Sequence, residues 1–203
     1  FDRTKKILTT AKATHLIGSK ALKNVLFSLV DHVDTLKAFI DVNDLVDDQE
    51  IPQFEDIQPD DIAMLQYTSG STSDPKGVMV SHEGLIANTT GLIYDGLGMH
   101  GVSDVAVAWL PLYHDMGLIG HVLSTMVTGM SSVLIPTMRF LRRPSVWLEA
   151  IHNHRGTISF APNFAYALAT RKARPEHLER WDLSCMQVFG CGAEPIHAET
   201  IEA

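Results

Sequence analysis

Small hydroxyl residues, glycine and lysine are concentrated in one short segment, Tyr67-Thr68-Ser69-Gly70-Ser71-Thr72-Ser73-Asp74-Pro75-Lys76-Gly77. Small side chains leave backbone N–H groups open to a ligand, the hydroxyls add donors, and Lys76 adds a positive charge. A polyphosphate needs many donors and charge neutralisation, so this composition favours phosphate binding. The segment is not a Walker A loop, because Lys76 precedes Gly77. A surface turn is the alternative, since Ser, Thr and Gly clusters are common in loops.

The elements around this segment predict an α/β layer structure. Short apolar stretches that read as strands alternate with stretches in which apolar residues recur at three- and four-residue spacing, as in helices. Continuous apolar strands alternating with helices are typical of a largely parallel sheet flanked by helices. We predict strands at 14–17, 36–42, 62–67, 77–81, 105–110, 132–135, 157–160 and 186–189, and helices at 5–13, 19–30, 83–92, 118–127, 144–154 and 163–172.

Four loops follow predicted strands and are therefore candidates for ligand binding. In open α/β sheets, ligands bind in the crevice outside the carboxyl ends of the strands. The loops are 68–77, 111–117, 161–164 and 190–195. We expect the functional residues to lie in these four loops.

Composition and charge limit the classes of function. The 203 residues are 45% hydrophobic with a formal net charge of −8, which predicts a globular chain. The acidic balance argues against a general nucleic-acid binder. Only two cysteines are present, Cys185 and Cys191, so a disulfide framework is not expected and a reducing cytoplasm is the expected location.

The negative charge is concentrated in one segment. Nine of the 24 acidic residues lie between positions 41 and 61, a range without Lys or Arg, and the remaining 15 nearly balance the 16 basic residues. A solvated connector is the expected role of such a stretch. We therefore predict three parts: a helix and strand segment at 1–43, an acidic connector at 44–61, and an α/β subdomain at 62–203.

Three further patterns do not predict a membrane or metal role. The first residues are charged, without the apolar core of a signal peptide. Residues 116–138 lack Asp, Glu, Lys and Arg, but a buried helix, a stop at Gly129 and a buried strand explain them better than a membrane span. His152 and His154 would not share one face of a helix, which argues against a zinc site there.

The complete segment 68–77 resembles the phosphate-loop signature of the adenylate-forming superfamily, Thr-Ser-Gly-Ser/Thr-Thr-Gly-x-Pro-Lys-Gly. Ser73 stands where most members have Gly, and Cys191 stands where one branch often has Asn. Three further segments, in the right order, are similar to motifs of that branch, the fatty acyl-AMP ligases: Trp109-Leu110-Pro111-Leu112-Tyr113-His114-Asp115-Met116-Gly117-Leu118, Pro162-Asn163-Phe164-Ala165-Tyr166 and Gly192-Ala193-Glu194-Pro195.

The resemblance implies roles for individual residues. Lys76 would steady the leaving pyrophosphate, and His114 would lie beside the reacting carboxylate. Asp115 would either orient His114 or cap the helix that begins near Met116. The β- and γ-phosphates would be held by Thr68, Ser69, Gly70, Ser71 and Thr72, and adenine by Gly192, Ala193, Glu194 and Pro195. The acyl chain would contact Asp115, Met116, Gly117, Phe160, Ala161, Asn163 and Phe164, although core packing explains each of the last six equally well.

The implied reaction joins a fatty acid carboxylate to ATP and gives an acyl-adenylate and pyrophosphate. The implied partners are the fatty acid and an acyl carrier protein, with CoA as the alternative acceptor, and no nucleic acid or membrane span is implied. Magnesium ligands are expected outside these residues, as part of a longer enzyme of which this chain would be a piece of the large N-terminal domain. A non-catalytic nucleotide-binding or scaffolding role is the alternative from a different class.

Overall fold

The computed structural model describes residues 1–45, 56–68 and 75–202. These residues form two compact units, Phe1–Leu85 and Ile86–Ala203, which we call unit 1 and unit 2. The three parts predicted from the sequence, 1–43, 44–61 and 62–203, were defined by composition, whereas these two units are defined by contacts. The three-part division therefore stays a prediction.

Unit 1 contains two small sheets. The strands β1 (His15–Gly18) and β2 (Ala38–Asp41) pair in parallel, with His15 opposite Ala38. The strands β3 (Ile62–Thr68) and β4 (Lys76–Ser81) form an antiparallel hairpin. The helices are α1 (Asp2–Thr10), α2 (Lys20–Leu26), two 3-10 helices (Phe27–His32 and Val42–Asp44) and α3 (His82–Thr90), which continues into unit 2. A core cluster of Leu8, Leu29, Val33 and Leu36 joins the first helices.

Unit 2 is a four-stranded parallel sheet with helices, as the sequence predicts. Its strands are β5 (Val105–Ala108), β6 (Ser131–Leu134), β7 (Ile158–Ala161) and β8 (Val188–Cys191). Their order across the sheet is β6-β5-β7-β8. The helices are α4 (Asp115–Gly117), α5 (Ser124–Thr128), α6 (Thr137–Arg142), α7 (Ser145–His154), α8 (Asn163–Lys172), α9 (Pro175–Leu178) and α10 (Ala198–Glu202), with π-helical turns at Gly91–Gly96 and Leu118–Leu123.

The predicted α/β class with a parallel sheet is confirmed, and the hairpin of β3 and β4 is the antiparallel exception. The uncharged stretch 116–138 folds into helical turns, a stop at Gly129 with φ of +73°, and strand β6. Glycine suits that stop because it adopts the left-handed conformation without steric cost. The expectation of a buried strand was wrong, because β6 lies at the edge of the sheet and three of its four residues are exposed. Within the described residues, none of the helices is both long enough and apolar enough to cross a bilayer.

Aromatic side chains form the centre of the core in unit 2. The ring of Trp109 stacks on Phe140 at 3.8 Å between centroids, and Trp147 meets both of them edge-on. The Trp147 indole N–H donates to Ser159 Oγ at 2.8 Å, which satisfies its one polar group. This packing joins α6 and α7 to strands β5 and β7, so it holds the carboxyl ends of those strands in place.

Candidate functional site

The strand order of unit 2 creates a crevice at the carboxyl ends of β5 and β7. From β5 the chain moves to β6 on one side, and then crosses to β7 on the other side of β5. The connections that leave the neighbouring strands β5 and β7 therefore run in opposite directions, which is the arrangement at which open α/β sheets bind their ligands. The segments that follow these two strands are 109–117 and 162–164, and both carry predicted site residues.

His114 and Asp115 lie in the first of these segments and contact each other. His114 Nδ1 is 2.7 Å from Asp115 Oδ1, and the backbone N–H of Met116 lies 2.7 Å from that carboxylate and 3.2 Å from Nδ1. Nδ1 cannot donate to Asp115 and accept from Met116 in the same tautomer. With the proton on Nδ1, Asp115 accepts both bonds and Nε2 is left for another partner. Asp115 thus has the geometry to orient His114. The helix cap differs from the expectation, because α4 begins at Asp115 itself and its N-cap residue is His114, although the Asp115 carboxylate also accepts from the N–H of Met116 in the first turn.

Gly117 closes this segment tightly on itself. A Cβ atom at Gly117 would lie 2.3 Å from the carbonyl oxygen of Pro111, so no other residue fits without moving the backbone. At the start of the same segment, Thr137 Oγ1 donates to the carbonyl oxygen of Trp109 at 2.8 Å. The loop is therefore held at both ends, and Gly117, predicted to contact the acyl chain, is buried.

The predicted adenine segment is bonded to the N-terminus of α8. The backbone N–H of Phe164 donates to Glu194 Oε1 at 2.7 Å. Asn163 Oδ1 accepts from the backbone N–H of His197 at 3.1 Å, and Asn163 Nδ2 donates to Thr200 Oγ1 at 3.4 Å. The structure thus joins residues for which the sequence predicted two different ligands.

The predicted acyl residues differ in accessibility. Phe164 is 45% exposed and Met116 is half-buried, whereas Ala161 is completely buried and Asn163 is 6% exposed. The ring of Phe164 meets the buried Trp109 edge-on at 6.0 Å. Phe160 is half-buried, and its ring lies across Gly190 on the neighbouring strand, where a Cβ would come within 2.0 Å. Their assignment to an acyl site stays a prediction.

Two ionisable groups beside the adenine segment have raised pKa values. Burial raises the pKa of the Cys191 thiol, and the nearby Glu194 carboxylate adds to the effect. Burial likewise raises the pKa of Tyr166, whose hydroxyl donates to the carbonyl oxygen of Gly190 at 2.8 Å. Both groups are therefore neutral at pH 7. Cys191 offers a neutral thiol where the related branch often has an Asn side chain.

Two predicted phosphate ligands, Thr68 and Lys76, stand opposite each other in unit 1. They form the last pair of the hairpin between β3 and β4, and both side chains are exposed. The intervening positions Ser69, Gly70, Ser71 and Thr72, also predicted to bind phosphate, lie outside the described residues. The hairpin thus brings together the two ends of the predicted phosphate loop.

Tyr67 braces this hairpin. Its ring lies against the cross-strand Gly77, where a Cβ would come within 3.0 Å of the ring. Its hydroxyl is 2.7 Å from Thr10 Oγ1 at the end of α1. Because Thr10 gives its own proton to the carbonyl oxygen of Lys6, Tyr67 is the donor in this bond. A cleft of about 550 Å³ lies beside these residues, lined by Asp2, Lys5, Lys6, Thr9, Thr10 and Pro75.

Sequence reasoning missed several residues that hold the predicted loops, namely Thr10, Thr137 and Thr200. Each is a threonine at the start or near the end of a helix, and such residues are common there for local reasons. Nothing in their spacing signals a partner far away in the chain. In the part of the chain that the structure describes, no three of the His, Cys, Asp and Glu side chains are grouped to hold a metal ion.

Known proteins are similar in sequence to this chain, including the loops described above. The chain is 37% identical over 203 residues to a Caulobacter vibrioides protein whose name refers to an acyl-CoA synthetase, and covers 35% of it. It is 38% identical over 144 residues to the medium-chain-fatty-acid–[acyl-carrier-protein] ligase TtuA of Teredinibacter turnerae, covering 71% of this chain and 22% of TtuA.

A solved structure from work on the fatty acyl-adenylate ligases of E. coli and L. pneumophila superposes with a TM-score of 0.88 at 35% identity, covering 98% of this chain and 36% of that one. The chain therefore spans about a third or less of the length of these proteins. The sequence model of the AMP-binding enzyme family matches residues 2–203, almost the whole chain. The chain is therefore a member of the AMP-binding enzyme family.

Proposed function

We propose that this chain is part of a ligase that uses ATP to activate a fatty acid as an acyl-adenylate. The proposal rests on one combined observation: the chain matches the AMP-binding enzyme family, and its four motifs lie at the ends of strands. Three of them follow β5, β7 and β8 at the carboxyl ends of a parallel sheet, and the fourth joins the two strands of a hairpin. The names of TtuA and of the solved ligases refer to fatty acids, which supports this substrate class.

The proposed reaction brings two anions together. A carboxylate oxygen attacks the α-phosphorus of ATP, an O–P bond forms, and the bond from that phosphorus to the bridging oxygen breaks as pyrophosphate leaves. Positioning and charge stabilisation must supply most of the catalysis. Thr68, with Ser69, Gly70, Ser71 and Thr72, would hold the β- and γ-phosphates. Lys76, exposed at the hairpin end, would neutralise the pyrophosphate as its charge develops.

His114 is proposed to act on the carboxylate. When Nδ1–H donates a hydrogen bond to Asp115, the imidazole keeps one orientation and Nε2 is available to the substrate. Protonated, Nε2 would donate to a carboxylate oxygen and reduce the repulsion between the reacting anions. Neutral, it would shape the entrance to the acyl site.

The two remaining ligand sites are assigned to the other loops of unit 2. The segment made of Gly192, Ala193, Glu194 and Pro195 would form the adenine site, with the Glu194 side chain bonded to the N–H of Phe164, and Met116, Phe160 and Phe164 would contact the acyl chain. Methionine and aromatic side chains adapt to a flexible chain. The magnesium ion that accompanies ATP in this chemistry would take its ligands from parts of the enzyme outside these residues.

We propose an acyl carrier protein as the acceptor of the acyl group, which the name of TtuA supports. CoA is the second candidate, and the name of the Caulobacter protein supports it. Incubating the full-length enzyme with fatty acid, ATP and each acceptor separately distinguishes them. Acylation of the carrier without formation of acyl-CoA is the expected result, and the reverse would assign the acceptor to CoA.

The test of adenylation is fatty-acid-dependent exchange of labelled pyrophosphate into ATP. A full-length enzyme containing this chain should exchange, whereas residues 1–203 alone should show negligible exchange because essential groups lie elsewhere. Lys76→Ala should slow exchange by about 10²-fold, the cost of losing a donor that stabilises developing charge. Lys23→Ala, at an exposed lysine of α2, is the control and should leave exchange unchanged.

Three outcomes would contradict parts of this scheme. No exchange by the full-length enzyme with any fatty acid would remove the ligase function and favour a scaffolding role. Full exchange by residues 1–203 would show that these residues suffice. A Lys76→Ala enzyme as fast as the parent would remove Lys76 from the mechanism.

A further inference from the structure

The bond between Glu194 and Phe164 places a carboxylate on the N-terminus of a ten-residue helix. The free N–H groups there carry partial positive charge, so a carboxylate is a favoured partner, and the 2.7 Å distance is that of a charge-assisted hydrogen bond. A side chain used in this way acts on the acyl segment 162–164 rather than directly on a base. Glu194 therefore has a defined role in the structure other than the predicted adenine contact.

Asn163 supplies the second connection between the same two segments. It is 6% exposed, and its amide oxygen and nitrogen bond to His197 and Thr200 respectively. Removing these hydrogen bonds would be costly, because the buried amide oxygen and nitrogen would then have no partner to offset the free energy lost on leaving water. The Asn163 side chain thus connects the start of α8 to His197 and Thr200, which follow Glu194 in the chain.

Backbone strain between these contacts supports a positioning role. Ala193 has φ of +67°, a conformation that non-glycine residues rarely adopt and that persists only where the surroundings enforce it. On one side of Ala193, the N–H of Gly192 donates to the carbonyl oxygen of Ala161 at 3.2 Å. On the other side, the Glu194 carboxylate accepts from the N–H of Phe164. The two anchors, both directed at the β7–α8 connection, hold the strained residue in place.

We propose that Glu194 and Asn163 are positioning residues that make nucleotide binding and fatty-acid binding interdependent. The proposal rests on the proposed function, because it assigns the two linked segments to adenine and to the acyl chain. A ligand that orders segment 192–197 also orders the start of α8, so the second ligand meets a segment already in its bound geometry. By reciprocity, each substrate strengthens the binding of the other by the same factor.

The test is steady-state pyrophosphate exchange by the full-length enzyme, with KM measured separately for ATP and for fatty acid. Glu194→Ala should raise both KM values about tenfold, the effect of losing one charge-assisted hydrogen bond. Glu194→Gln should restore both to within about threefold, because the amide oxygen still accepts from Phe164 N–H. Glu199→Gln, an exposed acid in α10, is the matched control and should change neither.

A rise in the KM for ATP alone would overturn the proposal and return Glu194 to the adenine site. Equal losses in Glu194→Ala and Glu194→Gln would also overturn it, because they would show that charge, not the bond to Phe164, is used. Thr200→Val, which removes a partner of Asn163 with little change in shape, should raise both KM values about twofold and keeps the test available if Glu194→Ala does not fold. No exchange by the parent enzyme would instead contradict the proposed function.

Discussion

The two regions that carry the predicted ligand sites are held by different means. In unit 1, no residue of β3 or β4 is fully buried, and the core cluster of that unit contains none of them. In unit 2, three of the four residues in β5 and three of the four in β7 are buried. The predicted phosphate loop thus depends on hairpin register and on the brace from Tyr67 to Thr10, whereas the loops at the carboxyl ends of the sheet depend on core packing.

This difference suits the two kinds of ligand. A phosphate group is recognised by backbone donors and charge, which an exposed hairpin end can offer with little support from a core. An acyl chain and a base are recognised by shape, which needs walls that do not move. The contrast predicts that core mutations will strongly lower the stability of unit 2, and that loss of one hydrogen bond will measurably destabilise the hairpin of unit 1.

The largest effect is expected from Trp147→Ala in the aromatic cluster. Trp147 is completely buried, and truncation would leave a large cavity and remove the donor to Ser159, costing about 3–5 kcal/mol of the free energy of unfolding. All three tryptophans belong to unit 2, so urea unfolding followed by the fluorescence of Trp109 and Trp181 reports on that unit. Val102→Ala, at a side chain 78% exposed, is the control and should stay within about 0.5 kcal/mol. A loss below about 1 kcal/mol for Trp147→Ala would show that the cluster does not support the sheet.

A smaller effect is expected when unit 2 is acidified. Burial lowers the pKa of His121 from 6.5 to about 4, and its Nε2 lies 2.9 Å from Ser132 Oγ. The folded state therefore binds a proton on His121 less readily than the unfolded state does. The contribution of neutral His121 to the free energy of unfolding is complete above pH 6.5 and is lost as the pH falls from 6.5 to 4. The loss is about 3 kcal/mol, at about 1.4 kcal/mol per pH unit.

The matching variant is His121→Gln, which keeps a polar side chain but cannot gain the proton. Urea unfolding at pH 7, 6, 5 and 4 should show that the difference in stability between parent and variant changes over this range. Parallel pH curves for the two proteins would remove His121 as the cause. Because no histidine in the described part of unit 1 is buried, this contribution should be confined to unit 2.

The smallest effect is expected from Tyr67→Phe in the hairpin. The variant keeps the ring over Gly77 and removes only the hydrogen bond to Thr10, at a cost of about 1 kcal/mol. Hydrogen exchange of the β3 and β4 amides should accelerate about fivefold, while the amides of β5 and β7 should not change. Tyr113→Phe, at a side chain 91% exposed, is the control. Thr10→Val should reproduce the effect, and an additive double variant would show that the two hydroxyls do not interact.

The sequence was most informative where local signals decide the structure. Helix α8 occupies Asn163–Lys172, the range predicted from apolar spacing, and α7 occupies Ser145–His154, within one residue of the predicted range 144–154. The positions of the loops at strand ends were also predictable. These features depend on periodicity and on turn residues, which are properties of neighbouring positions in the chain.

Local signals failed where a distant contact decides the element. Helix α6 was not predicted, and its fully buried Phe140 is placed by stacking on Trp109, 31 positions earlier. Strand β8 begins at Val188, two residues later than predicted, because Met186 is still part of a turn in which its N–H bonds to the carbonyl oxygen of Leu183. In both cases the sequence showed apolar residues but did not indicate which element they would form or which residues they would contact.

The sequence by itself determined that this is an α/β chain, and it carried the motifs that identify the family. Those properties follow from residue types and short spacings. The tertiary structure alone decided the strand order β6-β5-β7-β8 and the partners of Glu194 and Asn163. Packing selects these pairings among residues about 30 positions apart, where many alternatives satisfy the same pattern of polar and apolar residues. For this reason the composition of the candidate site could be predicted, whereas the connection between its two halves in unit 2 could not.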